Sequence, residues 1–201
     1  MIYRLIILFV LTLFSVKTYS DTWENPSVKK YLSENGEFLL IVYPTEIPAN
    51  YTKWKESKPN KKNRFSAKDT TIIMCHATLN HLFNNDTIEI WNKKLINQVA
   101  PVSAIVSNDG KTVVTFDNWY SMGYGLDILV IYGQDGVLIK RFRLEDISPI
   151  PINELPMSIS SIRWNCGAKF ITNGSFEICI QNDKFEQIKR TYNLKTSNFD
   201  N

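Results

Sequence analysis

Histidine and cysteine are scarce in this chain, which has two His and three Cys among its 201 residues. So few ligating side chains leave little material for a metal cluster or a disulfide-rich scaffold, and we expect no metal site and no cofactor. Eight Gly and eight Pro are too few for a low-complexity or collagen-like chain. Apolar residues make up 44% and charged residues 21% of the chain, which is typical of one folded globular domain with a core.

Familiar catalytic patterns are also absent from the sequence. It contains no G-x-S-x-G elbow, no P-loop, no H-E-x-x-H helix and no calcium-loop pattern. These absences favour a non-catalytic protein over a familiar hydrolase, while leaving the question of enzymatic activity open.

The single long apolar run lies at the N-terminus. Arg4 precedes residues 5–16, a run of about 12 residues that is shorter than the roughly 20 of a membrane-spanning helix. Thr18 and Ser20 then supply small side chains before a cleavage site. The pattern predicts a signal peptide over residues 1–20 and a mature domain over residues 21–201, located in the periplasm or outside the cell. The alternative is an uncleaved anchor, which Lys17 leaves open.

The basic charge of the mature chain is local. Without residues 1–20, 21 basic and 20 acidic residues remain, and residues 53–68 alone carry a net charge of +6. This charge includes Lys58, Lys61, Lys62 and Arg64. Such a patch does not indicate a nucleic-acid-binding domain, and export also argues against that partner, whereas an anionic surface is a candidate partner.

Alternating apolar residues separated by short polar turns predict an all-β, mostly antiparallel fold. Asn35-Gly36, Asp109-Gly110, Asp135-Gly136 and Asn173-Gly174 supply the residues that hairpin turns require. The predicted strands are residues 38–43, 70–79, 87–91, 102–106, 112–119, 127–132, 137–144, 158–164, 168–171, 175–181 and 185–194. Short helical turns are predicted near residues 23–32 and 144–147.

The strands group into three four-stranded units, over residues 31–93, 99–147 and 158–194. The segments Ser-Asn-Asp-Gly-Lys-Thr-Val-Val-Thr at residues 107–115 and Ile-Tyr-Gly-Gln-Asp-Gly-Val-Leu at residues 131–138 resemble the blade hairpins of β-propeller repeat proteins. Residues 99–164 are also similar to uncharacterised exported bacterial proteins. The resemblance implies about three blades, either as an open stack or as part of a ring completed by a second chain. A β-sandwich is the alternative.

Residues 117–127 form the most informative segment. It joins two predicted strands and carries Trp119, Tyr120 and Tyr124, which can stack against a sugar ring or an apolar side chain. Asp117 and Asn118 could supply hydrogen bonds at its base. The alternative interpretation is structural, with Trp119 filling space between sheets.

A second candidate loop covers residues 44–69 and contains the basic cluster together with aromatic residues. If the units are blades, both loops join the second and third strands of their units. Equivalent loops emerge on one side, so the basic and the aromatic loop would share one rim.

These features favour an exported, non-catalytic binding module that contacts an envelope protein or a glycan through the two loops. A glycan hydrolase or lyase that uses Asp117 and Asp127 as acid and base is the first alternative. A structural assembly partner, which associates with itself or completes a larger complex, is the second.

The cysteines give an ambiguous signal. Export favours a disulfide between Cys166 and Cys179, yet a hairpin turning at residues 172–174 pairs residues whose numbers sum to 346. That register puts Phe170 and Phe176 on one face and the two cysteines on opposite faces. We therefore expect two or more free thiols.

Overall fold

The computed structural model of the protein describes residues 23–46, 72–84 and 86–200. Twelve strands, one short helix and one 3₁₀ turn make up the regular structure of these residues. The strands are β1 (Lys29–Leu32), β2 (Phe38–Tyr43), β3 (His76–Phe83), β4 (Asp86–Lys94), β5 (Ser103–Val106), β6 (Val113–Phe116), β7 (Leu129–Tyr132), β8 (Leu138–Phe142), β9 (Asn165–Thr172), β10 (Ser175–Gln181), β11 (Gln187–Asn193) and β12 (Asn198–Phe199). Helix α1 spans Leu144–Ile147, and the 3₁₀ turn spans Ile152–Glu154. Among the described residues, no helix is long and apolar enough to cross a membrane.

The strands form three antiparallel sheets of four, each made of consecutive strands in the orders β1-β2-β3-β4, β5-β6-β7-β8 and β12-β11-β10-β9. Turns with residues of positive φ connect neighbouring strands, as at Gly110 (φ 67°) between β5 and β6 and Gly136 (φ 73°) between β7 and β8. The prediction of an all-β fold built from four-stranded antiparallel units is confirmed.

The two central strands of the middle sheet are buried on both faces. Every residue of β6 and β7 is buried, and successive side chains alternate between two hydrophobic clusters because strand side chains have a period of two. Val114 and Phe116 pack in the cluster shared with the β9–β12 sheet, whereas Val113 and Tyr132 pack in the cluster shared with the β1–β4 sheet. The three sheets are therefore stacked face to face, with the second between the first and third.

The first strand of each sheet lies on the inside of the stack. β5 contacts β1 on one side and β9 on the other. The sheets thus fan out from these three inner strands, as blades do around a propeller axis. The described sheets do not close into a ring, so the architecture is an open, propeller-like arc rather than a sandwich.

Some predicted strand bounds differ from the structure, as for residues 70–79, where β3 spans His76–Phe83. Two other predictions differ in the type of structure. Residues 158–164 are not a strand, apart from a bridge between Met157 and Ile162; Ser158 and Ser161 instead bond to each other, Ser161 N donating to Ser158 Oγ at 3.0 Å. Such local side-chain bonds compete with sheet pairing. The third sheet accordingly begins at β9 rather than at residue 158. Residues 23–32 form no helical turn and end in strand β1, whereas the turn predicted near residue 144 is helix α1.

The prediction against a disulfide was wrong, because Cys166 and Cys179 are bonded, with their Cα atoms 5.0 Å apart. The predicted register itself holds from Phe176 opposite Phe170 to Cys179 opposite Gly167. Beyond that point a β-bulge shifts the pairing. The extra residue is Cys166, and a bulged residue can turn its side chain to the face that regular alternation denies it. Only Cys75 remains a free thiol in the described chain, and it is buried.

Candidate functional site

The loop between β6 and β7 has a strained but well-anchored backbone. Asp117 (φ 60°), Tyr120 (φ 71°) and Gly123 (φ 78°) all adopt the left-handed region. A Cβ atom added to Gly123 would lie 2.5 Å from Ile162 Cβ, so this position needs glycine. Ile162 N also donates to the loop carbonyl of Met122 at 2.8 Å. The loop is therefore held in one conformation against the segment that precedes β9.

Asp117 is the centre of this anchoring. Its side chain is buried, and the residue is 2% exposed. Its Oδ1 accepts hydrogen bonds from Gly123 N at 2.7 Å and from Trp164 Nε1 at 2.9 Å. Burial raises the pKa of the carboxyl to about 6, and the two hydrogen bonds oppose that rise only in part. Asp117 is consequently a carboxyl group that changes charge near neutral pH.

A pocket of about 380 Å³ lies beside Asp117, between the inner strands β5 and β9. This volume falls at the lower end of the range of small-molecule sites. Most of its wall is apolar, and the polar groups are few. The lining residues are Val102, Ser103, Ala104, Ile105, Phe116, Asp117, Met122, Asn165, Cys166, Gly167 and Ala168.

Asp127, the other carboxylate of the predicted acid–base pair, lies outside the pocket lining. Its Oδ1 is 3.3 Å from Arg141 Nη1 on β8, with which it forms an exposed ion pair. Glycosidases place two carboxyl groups on either side of one bond. Among the described residues that line this pocket, Asp117 is the one carboxylate.

Trp119 is partly buried and packs against the hydrophobic cluster of the first two sheets. Its Nε1 donates to Glu24 O at 2.9 Å, and its ring centroid lies 5.7 Å from that of Trp23. Tyr120 is 43% exposed and meets the same Trp23 ring edge-on at 5.8 Å. The aromatic rim thus includes Trp23, and no sequence pattern connects this residue with Trp119 and Tyr120, which lie almost one hundred positions away.

The remaining loop candidates bond within the protein. Asn118 Oδ1 accepts from Asn97 Nδ2 at 2.6 Å, and the same amide donates to the backbone carbonyl of Asp117 at 3.0 Å. The hydroxyl of Tyr124 donates to Ser158 O at 3.2 Å. Both side chains therefore tie the loop to its neighbours, while their predicted contact with a ligand remains a prediction.

Lys58, Lys61, Lys62 and Arg64 lie outside the described residues. The described residues on either side of the segment, Glu46 and Ile73, form a β-bridge.

Several residues that line the pocket or hold Asp117 in place were not predicted from the sequence. Trp164 was assigned to a strand, yet it is fully buried and bonds to Asp117 across 47 positions of sequence. Asn165 and Cys166 line the pocket because of the bulge in β9. The glycine at position 167 was the one sequence signal of this bulge, because an isolated glycine within a strand often marks one. In the structure Gly167 has a φ of 145°, which L side chains rarely adopt.

The structural similarity to propeller blades consists of the three four-stranded sheets and their inner strands. Compared with models of known protein families and with curated proteins, the chain matches none.

Proposed function

We propose that this protein is a non-catalytic binding module of the cell envelope, and that a small ligand, or a small group of a larger one, binds in the pocket between β5 and β9. The observation that carries this proposal is the buried carboxyl of Asp117 in the wall of a mostly apolar pocket. A pocket with an apolar wall and a few directed polar groups is the usual form of a small-ligand site.

The envelope location rests on the N-terminal sequence and is compatible with the disulfide between Cys166 and Cys179. Disulfides persist mainly in oxidising compartments. Protein purified from its native host should begin at Asp21, and N-terminal sequencing measures this directly. Retention of Met1 would instead favour the uncleaved anchor.

The rim of Trp119, Tyr120 and Trp23 has a secondary role in this proposal. Tyr120 is an exposed residue of the loop that begins at Asp117, so a ligand larger than the pocket could extend across the aromatic rings. A glycan or an envelope protein presents the hydroxyl and apolar groups that such rings contact. The basic segment around Lys58 would then attract an anionic part of the partner.

Methionine methyl groups provide a site-specific test. Of the Met residues in the mature chain, Met122 lines the pocket, whereas Met74 and Met157 are 40% and 52% exposed. In ¹³C-methyl NMR of residues 21–201, fractionated envelope glycans and low-molecular-mass extracts of the host should perturb the Met122 signal. The other two signals serve as internal controls for nonspecific binding.

Ser103→Leu is the matched blocking variant, because Ser103 is half-buried and lines the pocket. A leucine side chain there would occupy ligand space, and fractions that perturb Met122 in the wild type should leave the variant unchanged. If no fraction perturbs Met122, or if Ser103→Leu responds like the wild type, the pocket is not the binding site and the proposal fails.

The assembly alternative has one observation in its favour. Leu39 and Ile41 lie on the face of the β1–β4 sheet that points away from the middle sheet, beside Leu32, which is 56% exposed. The corresponding outer face of the third sheet is polar and carries the Lys189–Glu177 ion pair. Light scattering tests self-association, and Leu32→Lys should reduce any dimer; a monomer at all concentrations would remove this alternative.

A further inference from the structure

The two oxygens of Asp117 are used unequally. Oδ1 accepts two hydrogen bonds, from Gly123 N and Trp164 Nε1. Oδ2 accepts none from the described residues, although a carboxylate oxygen has two acceptor positions. Since Asp117 lines the pocket, the oxygen without a partner is the one left for a ligand.

Asp117 also lacks a counter-charge. Neither of the ion pairs Arg141–Asp127 and Lys189–Glu177 involves Asp117, and burial and two hydrogen bonds, rather than a neighbouring charge, shift the pKa of its carboxyl. Both donors to Oδ1 are neutral groups. A buried carboxylate without a cation carries a large desolvation cost, which a cationic partner offsets.

No ionisable side chain of the neighbouring elements reaches the pocket wall. The titratable and charged groups on the elements packed against Asp117 include Tyr120, Tyr124, Asp127, Tyr132, Arg163 and Lys169, and none of them is among the lining residues. Cys166 is in the disulfide and does not titrate. The charge of the pocket wall is therefore that of Asp117 alone.

Resting on the proposed function, we propose that the pocket binds an organic ammonium group: a protonated amine that pairs with Asp117 Oδ2 and carries a small apolar body. Phe116, Met122, Ile105 and Val102 supply the apolar wall that such a body requires. Among the described residues no three His, Cys, Asp or Glu side chains come together as metal ligands, which disfavours a divalent metal ion as the occupant. Envelope components with free amino groups, such as amino sugars and peptide amines, have the required chemistry.

The test uses phenethylamine and its neutral counterpart 2-phenylethanol, which share one ring and one chain length. Each is titrated into residues 21–201 at pH 7.5 while the Met122 methyl signal is followed. A charge-assisted hydrogen bond to a buried group predicts that the amine binds about 10- to 100-fold more tightly than the alcohol. At pH 5 Asp117 is largely protonated while the ammonium stays charged, so the amine affinity should fall about tenfold and the alcohol affinity should stay constant.

Asp117→Asn is the matched variant, because the amide oxygen can still accept from Gly123 and Trp164 while the charge is lost. It should remove both the preference for the amine and the pH dependence. Should this variant fail to fold, the comparison of pH 7.5 with pH 5 in the wild type still decides the question.

Three results would overturn the inference in distinguishable ways. Equal affinity for amine and alcohol, abolished by Ser103→Leu, would refute the ammonium ligand and leave the proposed pocket function standing. A Met122 shift caused by NaCl or CaCl₂ that competes with the amine would identify an inorganic cation site instead. No Met122 shift with either probe at millimolar concentration would refute the ammonium ligand, and the envelope-fraction titration would then decide separately whether the pocket binds anything.

Discussion

Replacing Asp117 by asparagine gives the sharpest test of the buried carboxyl. The side chain is 2% exposed and its pKa is raised from 3.8 to about 6, mainly by burial. Each unit of pKa difference between folded and unfolded states corresponds to about 1.4 kcal/mol. The ionised carboxyl therefore costs the folded protein about 3 kcal/mol relative to the protonated form.

The sign of the pH dependence follows from proton binding. Between pH 3.8 and about 6 the folded state holds the Asp117 proton more tightly than the unfolded state does. The free energy of unfolding must therefore fall as the pH rises through this window, and the loss is complete above about pH 7. Asparagine has no such titration, so the variant lacks this part of the pH dependence.

Urea denaturation of residues 21–201 at pH 4 and pH 7.5 measures the effect, and the difference between wild type and Asp117→Asn cancels the titration of all other groups. We expect this difference to shift in favour of the variant by about 2–3 kcal/mol at the higher pH. A shift below about 0.5 kcal/mol would refute the claim that Asp117 is buried without a counter-charge. A shift of opposite sign would show that a cation of the protein stabilises the carboxylate.

Three further predictions follow from the packing and the disulfide. Trp119→Ala should cost about 2–4 kcal/mol in urea denaturation, because the ring packs on the core of the first two sheets; a cost below about 1 kcal/mol would instead make Trp119 a surface platform. Gly123→Ala should destabilise the protein more than Gly125→Ala, since both positions have positive φ but only a Cβ at Gly123 would clash, 2.5 Å from Ile162 Cβ; equal melting losses would contradict this. Thiol titration of the unreduced, unfolded mature protein should find one thiol, that of Cys75, and a count of three would show that the disulfide does not form.

Much of the fold could be predicted because its determinants are local. β2 and β10 have the predicted bounds. In β2, buried residues alternate with less buried ones, and β10 directly follows the turn at Asn173-Gly174. The middle unit was recognised from Asp109-Gly110 and Asp135-Gly136, which do turn between its strands. The strand predicted over residues 158–164 does not form: the segment is rich in Ile and Trp, which are common in strands, but its serines bond locally instead.

The site was predicted only in part, for a physical reason. Asp117 was selected as a hydrogen-bonding residue at the base of an aromatic loop, and it lies in the pocket wall. Its burial depends on Trp164, and the opposite wall depends on β9, both more than 40 residues away in sequence. Propensity and periodicity describe neighbours along the chain, so they give no information on which strand packs against which loop.

The β9 bulge shows how one extra residue changes both chemistry and shape. In a regular hairpin with the predicted register, Cys166 and Cys179 would point to opposite faces and could not bond. The bulge turns Cys166 toward Cys179, and the same backbone distortion needs Gly167 at φ of 145°, where Asn165 Oδ1 accepts from Gly167 N at 2.8 Å. Asn165, Cys166 and Gly167 all line the pocket. The bulge therefore bears on both the disulfide and the part of the pocket wall that β9 supplies, and the regular register that favoured free thiols contains neither feature.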